Sequence, residues 1–259
     1  RLEDLPRIVH RAAKIAMTPP TGPVFLSLPG DILNAEAGID LGKATRVDTR
    51  NRPADDVLEQ LADRLLAAKN PCIVCGDEIV KSDAIAEAGH FAMTLGAAVY
   101  QQSVPYGAHF ISEHPCYIGG LSRDQQDVRN VLSAYDMMIS LGADPLRMSV
   151  YSKIEPLPEG MPVIQLGLLD WEMGKNFPAE MAIRGDVRET LRALIPVLQE
   201  KGGDDLAKRA TAAIDAMAPL NWSATRQTMG ESILAASEAS PIDPNWMTWQ
   251  MVKNLPENA

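Results

Sequence analysis

The chain has 259 residues, of which 46% are hydrophobic, so it can bury at least one full core. Its formal net charge of −10 and its lack of any Lys/Arg run argue against nucleic acid or anionic lipid as a partner. No apolar stretch approaches the roughly 18 residues of a membrane span. The three cysteines, an odd number, fit a reducing compartment. We therefore expect a cytoplasmic globular protein that contacts neither nucleic acid nor membrane.

The first 53 residues are interpreted as a piece of a domain followed by a linker. Leu5 to Met17 carries apolar residues at helical spacing, and Val24 to Leu28 reads as a strand between Pro/Gly pairs. One helix and one strand cannot bury each other's apolar surface, so residues 1–33 are expected to belong to a larger domain. Residues 34–53 lack periodicity and read as a linker.

Strands and helices alternate through the middle of the chain. Short apolar runs, typical of strands buried on both faces, occur at 72–75, 97–100, 137–142, 163–166 and 181–184. Apolar residues at helical spacing occur at about 54–68, 81–95, 124–133 and from Asp186 onward. This alternation predicts an α/β fold, a doubly wound parallel sheet, over about residues 54–200. We expect Pro196 to kink or shorten the last helix.

The C-terminal part is predicted to be helical. Residues 201–240 are Ala-rich and read as a helical connector without a strand. Residues 241–259 contain a fresh helix at about 244–254, capped by Asp243 with Pro244 at its first position. Both ends of the chain look cut from neighbouring domains, so we expect a piece of a longer polypeptide.

Several segments, in order, resemble one enzyme family. Residues 22–32, Gly-Pro-Val-Phe-Leu-Ser-Leu-Pro-Gly-Asp-Ile, resemble the closing strand of the pyrimidine-binding domain in thiamine-diphosphate-dependent enzymes of the acetolactate synthase, pyruvate oxidase and benzoylformate decarboxylase group. Residues 70–76, 113–120 and 173–191 resemble the first strand, a Glu/Asp-His-Pro…Gly loop and the last βα repeat of the central domain. Residues 241–259 are similar to the entry to the diphosphate-binding domain. The order of the matches makes the resemblance more specific than any single motif.

The resemblance implies a function for the parent protein. The parent would use thiamine diphosphate and Mg²⁺ to decarboxylate a 2-oxo acid, as benzoylformate decarboxylase does, and would assemble as a homodimer or homotetramer. The family's catalytic glutamate would lie upstream of this chain and its Gly-Asp-Gly motif downstream, since the sequence contains no Gly-Asp-Gly. We expect no cofactor or metal on this chain alone. An acetolactate synthase-like carboligase is the alternative enzyme, and a stand-alone nucleotide-binding module is the alternative of another class.

The candidate binding residues follow two predicted strands. Ligands of α/β proteins gather beyond the carboxyl ends of the strands, where the strand order reverses. The residues at such positions are Gly76, Asp77, Gly142, Asp144 and Arg147. They would line a crevice for FAD or ADP, which some members of the family bind.

One departure from the family argues against that nucleotide. In the nucleotide-binding members, an acidic residue commonly follows the strand matched here by residues 163–166. This chain has Gly-Leu-Leu at 167–169, with Asp170 displaced. We therefore expect the crevice to hold neither FAD nor ADP.

Two loop residues are catalytic candidates. His114 could present an imidazole to the active site, or it could shape its loop by bonding to backbone. Ser149 stands about where benzoylformate decarboxylase has an active-site histidine, and a hydroxyl cannot replace imidazole as an acid–base group near neutral pH.

Cys72 and Cys75 form C-x-x-C, but positions three apart in a strand face opposite sides, so we expect two buried, inert thiols rather than a redox or metal site.

Overall fold

The computed structural model describes residues 1–19, 21–148 and 151–256. Its contacts divide the chain into two units, 1–51 and 52–259. In the first unit, a 3₁₀ turn (Leu2–Asp4) leads into helix α1 (Leu5–Met17), as predicted, and a short helix α2 (Gly30–Leu33) follows. The finer domain boundaries set out above stay predictions.

The strand predicted at Val24 to Leu28 is not formed. A strand needs a neighbour to pair its backbone N–H and C=O groups, and the described residues of this unit contain no other strand. Phe25, in the middle of the segment, is 89% exposed. The apolar pattern is therefore present without the sheet that it would join.

The second unit contains one parallel sheet, as the sequence predicts. Its strands are β1 (Pro71–Cys75), β2 (Ala98–Gln101), β3 (Tyr117–Gly120), β4 (Met137–Leu141), β5 (Val163–Gly167) and β6 (Met181–Arg184). They lie in the order β3-β2-β1-β4-β5-β6, and every neighbouring pair is parallel. β3 lies within residues 113–120, which the resemblance places in a loop. Two of its four residues are glycines, which are poor strand formers, so the sequence carries no strand signal there.

The helices of this unit depart from the prediction in two places. They are α3 (Asp55–Ala67), α4 (Glu78–Lys81), α5 (Ile85–Leu95), α6 (Gln125–Leu132), α7 (Val187–Met217), α8 (Trp222–Ala235) and α9 (Pro244–Lys253). The helix expected at 81–95 begins later, after Asp83 with φ 51°, and α4 precedes it. α7 continues past Pro196 and breaks at Gly203 instead. Pro196 has no N–H for the carbonyl four residues before it, but it is exposed, so water can hydrogen-bond that carbonyl. Gly203 adopts φ 49° at little cost because glycine has no side chain.

The two faces of the sheet pack into separate clusters of buried residues. Ile73, Cys75 and Ile139 face one cluster with α3, α5 and α7. Cys72 and Met138 face the other, which α6 and loop residues cover. The expectation that Cys72 and Cys75 are buried and point to opposite faces is confirmed.

The C-terminal helices agree with the sequence. No strand interrupts residues 201–240. Oδ1 of Asp243 accepts hydrogen bonds from the amides of Asn245 and Trp246, both at 2.9 Å, so the predicted cap of α9 is present. Across the described residues, each helix is either too short or too polar to cross a lipid bilayer.

Candidate functional site

The candidate crevice lies where the strand order reverses. β1 and β4 are neighbours, and the chain leaves them toward opposite edges of the sheet. The loops that follow them are joined, because the amide of Gly76 donates to Leu141 O at 3.1 Å and the amide of Glu78 donates to Gly142 O at 3.0 Å. A Cβ at Gly76 would lie 2.2 Å from the Cα of Ala143. Only glycine allows so close an approach of the two loops.

Asp77 is the centre of a hydrogen-bonded cluster at this edge. Its Oδ1 lies 2.5 Å from Nε2 of His109 and accepts from the amide of Tyr106 at 3.2 Å. Its Oδ2 accepts from the side-chain amide of Gln102 at 3.0 Å. His109 is 1% exposed, and its Nδ1 has no hydrogen-bond partner among the described residues. Asp77 thus fastens the loop after β2 to the end of β1.

Gln102 connects this cluster to the loop after β4. Its Oε1 accepts from the amide of Asp144 at 3.1 Å, and Arg147 donates to the Tyr106 hydroxyl at 3.2 Å. Burial raises the pKa of the Asp144 carboxyl, while Arg147, 3.8 Å away, opposes the rise. The structure therefore brings the five candidate crevice residues to one edge of the sheet.

Glu78 occupies the crevice itself. Its carboxylate accepts from the amide of Leu168 at 2.5 Å and from the amide of Leu169 at 3.1 Å, and the residue is 5% exposed. Burial raises its pKa, and the two amide hydrogen bonds counteract that rise. The space left beside Glu78 is about 60 Å³, which is room for water molecules. It adjoins a wider pocket of about 490 Å³ at the same edge, lined among others by Asp77, Asp144 and Arg147.

The two catalytic candidates, His114 and Ser149, are not among the residues described at this edge of the sheet. His114 precedes β3 and so lies toward the amino ends of the strands. Its Nδ1 accepts from the Cys116 amide at 3.2 Å, and its ring packs edge-on against Phe110. Ser149 lies outside the described residues.

The described residues hold no group of three or more His, Cys, Asp and Glu side chains suited to a metal ion. Mg²⁺ bound with a diphosphate takes one or two carboxylates together with phosphate oxygens and water as ligands. The carboxylates of Asp77 and Glu78 are engaged by His109 and by the amides of Leu168 and Leu169, so these two side chains do not fit that role.

Sequence reasoning missed the central roles of Glu78 and Gln102. Gln102 is the first residue after β2, so the rule that selected Gly76 and Gly142 would also have found it. His109 lies in the long loop between β2 and β3, and its position in the sequence does not predict its contact with Asp77. Glu78 belongs to the turn after β1 that contains Gly76 and Asp77, but its burial is not predicted, because it depends on where the loop after β5 is placed.

Comparisons with known proteins agree on one family. The model described as the thiamine pyrophosphate enzyme, central domain, matches residues 58–194. Benzoylformate decarboxylase of Pseudomonas aeruginosa is 28% identical over 236 residues, which cover 84% of this chain and 44% of that protein. The acetolactate synthase large subunit of Corynebacterium glutamicum is 28% identical over 200 residues, covering 74% of this chain and 31% of that one.

A solved structure gives the same result. The crystal structure of benzoylformate decarboxylase from Polynucleobacter necessarius superposes with a TM-score of 0.66 and 28% identity, covering 76% of this chain and 37% of that one. The chain thus spans less than half the length of each of these relatives.

Proposed function

Since this chain belongs to the thiamine pyrophosphate enzyme family through its central domain, we propose that it is the central domain of a longer 2-oxo acid decarboxylase of the benzoylformate decarboxylase kind. The observation that carries the proposal is the match to benzoylformate decarboxylase over 84% of the chain. The six-stranded sheet, with a crevice filled by its own side chain, suits a scaffold role.

The cofactor would be held by other parts of the enzyme. Thiamine diphosphate supplies the electron sink for decarboxylation, and a protein supplies binding and electrostatics. In this proposal, residues outside the chain bind the diphosphate through Mg²⁺. The chain's own contribution is to hold the ends of the strands in a fixed position next to those parts.

The loops at the carboxyl edge of the sheet suit contact with the rest of such an enzyme. Tyr106, Tyr151 and Trp171 follow β2, β4 and β5 respectively, and their exposed fractions are 75%, 86% and 71%. Large aromatic side chains are enriched in the buried parts of protein interfaces. We assign this edge to contact with neighbouring domains or subunits of a cytoplasmic homodimer or homotetramer.

A carboligase is the second candidate. The match to acetolactate synthase over 74% of the chain favours it, and the two activities share the cofactor chemistry up to the loss of carbon dioxide. The candidates differ in whether the remaining fragment is protonated or joined to a second carbonyl compound.

The test uses the protein encoded by the complete reading frame around this chain. We expect it to release carbon dioxide from benzoylformate or a related aryl 2-oxo acid only when thiamine diphosphate and Mg²⁺ are added. Acetolactate formation from pyruvate at a higher kcat/KM would favour the carboligase. Absence of any turnover, with FAD or ADP released on heating, would overturn both.

A further inference from the structure

The buried carboxylate of Glu78 occupies an anion-binding position formed by two backbone amides. The amides of Leu168 and Leu169 are consecutive and point toward the same place, an arrangement that binds anions in many proteins. The carboxylate of Glu78 satisfies both amides, one with each oxygen. Glu78 stands 90 residues away in sequence, so this is a tertiary contact and not a local cap.

The surrounding backbone is shaped around this side chain. A Cβ at Gly167 would lie 2.5 Å from Oε2 of Glu78, and a Cβ at Gly142 would lie 2.7 Å from its Cβ. Glycine at both positions leaves a channel that the glutamate fills. A carboxylate that is 5% exposed would be costly to bury without such partners.

The charges near the site disfavour a multiply charged anion. Asp77, Asp144 and Glu172 line the same cavity, with Lys81 as the neighbouring cation. The negative charge of these carboxylates opposes a phosphate, which carries more charge and more volume than a carboxylate.

We propose that the crevice of this domain is a small-carboxylate site whose resident ligand is the chain's own Glu78, and that acetate binds there when this side chain is cut back. Replacing Glu78 by Ala removes the Cγ atom and the carboxyl group, whose atoms together are those of acetate. Formate is smaller than the vacated volume, and propionate is larger. This inference is independent of the reaction proposed for the whole enzyme.

The test measures thermal midpoints of the Glu78→Ala variant in acetate, formate, propionate and chloride at equal ionic strength. We expect the midpoint to fall by about 4–10 °C in chloride, because two buried amides lose their acceptor. Acetate up to about 0.2 M should recover several degrees along a saturating curve, since a ligand of the folded state stabilises by mass action. Formate should recover less, because it leaves part of the vacated volume empty, whereas the space of about 60 Å³ beside the site admits the additional methylene of propionate.

Two control variants separate the site from general effects of salt. Glu78→Gln keeps the volume filled, so it should be destabilised but not recovered by acetate. Glu172→Ala removes a carboxylate that lines the same cavity but pairs with Lys175 at 3.2 Å rather than with the amides, so acetate should not act on it. Equal recovery in Glu172→Ala, or no saturating effect of acetate in Glu78→Ala, would overturn the proposal.

If Glu78→Ala does not fold, a measurement on the unmodified chain tests whether the Glu78 carboxylate binds the two amides. Hydrogen exchange at the amides of Leu168 and Leu169 reports whether the carboxylate holds them. We expect exchange at least about 100-fold slower than in an unstructured peptide. Exchange at the unprotected rate at both amides would refute the site.

Discussion

Nε2 of the buried His109 lies 2.5 Å from Oδ1 of Asp77. This contact holds the long segment between β2 and β3 against the end of β1. The same carboxylate also accepts from the Gln102 side chain and from the Tyr106 amide. One side chain therefore fixes the path of the loop that follows β2.

We expect Asp77→Asn to lower the free energy of unfolding by about 1–3 kcal/mol, because an amide nitrogen replaces an acceptor of buried donors. Urea titration measures the change, and hydrogen exchange should quicken at residues 102–110. Asp170→Asn is the matched control at the same edge, since its exposed pair with Arg184 at 3.2 Å should contribute less than about 1 kcal/mol. Equal losses in the two variants would contradict the anchoring role of Asp77.

Gly142 should tolerate alanine less well than a glycine with the same backbone handedness. Gly142 has φ +58°, and a Cβ there would meet Glu78 at 2.7 Å and Val187 at 3.2 Å. Gly160 has φ +73° with open space around it. We expect Gly142→Ala to cost about 2–4 kcal/mol and Gly160→Ala about 1 kcal/mol. Chemical denaturation of both variants tests this difference, which would vanish if the Glu78 contact were unimportant.

Stability should fall on mild acidification because of His114. Burial lowers the pKa of its imidazole below the usual 6.5, and its Nδ1 accepts a hydrogen bond that only the unprotonated nitrogen can accept. The unfolded chain therefore takes up a proton first as the pH falls, so stability is full above about pH 7 and declines through pH 6.5 toward the lower folded-state value. His114→Asn should flatten this part of a plot of unfolding free energy against pH. An unchanged slope in that variant would assign the effect to other groups.

The three cysteines should be unreactive in the folded chain. Cys72, Cys75 and Cys116 are free and buried, and burial raises the pKa of Cys116 to about 12 and raises those of the other two as well. The thiolate is the reactive form, so labelling with a thiol reagent at pH 7.5 should await unfolding. Mass spectrometry after brief labelling, with and without denaturant, measures this. Rapid native labelling, or a Cys72–Cys75 disulfide on oxidation, would reinstate a redox reading of C-x-x-C.

The sequence predicts the sheet well because its strands are short apolar runs bounded by Gly or Pro, and all but β3 follow this rule. It predicts which loops meet at the crevice, since parallel strands end at one edge. It does not predict what fills the crevice, because Glu78 is buried only through two amides that lie 90 residues later. The break at Gly203 lies close to the predicted start of the helical connector at residue 201. The continuation of α7 past Pro196 is not predicted, because the exposure of Pro196 is a property of the folded chain.

The division of buried side chains between the two faces of the sheet has a consequence for how the sequence of such a domain can evolve. The buried residues of the two clusters are different residues, and the partly buried Met217 at the end of α7 packs against both. Substitutions on opposite faces should then have nearly additive effects, because distant sites that share no partner are energetically independent. A substitution on one face can therefore be accepted without a compensating change on the other.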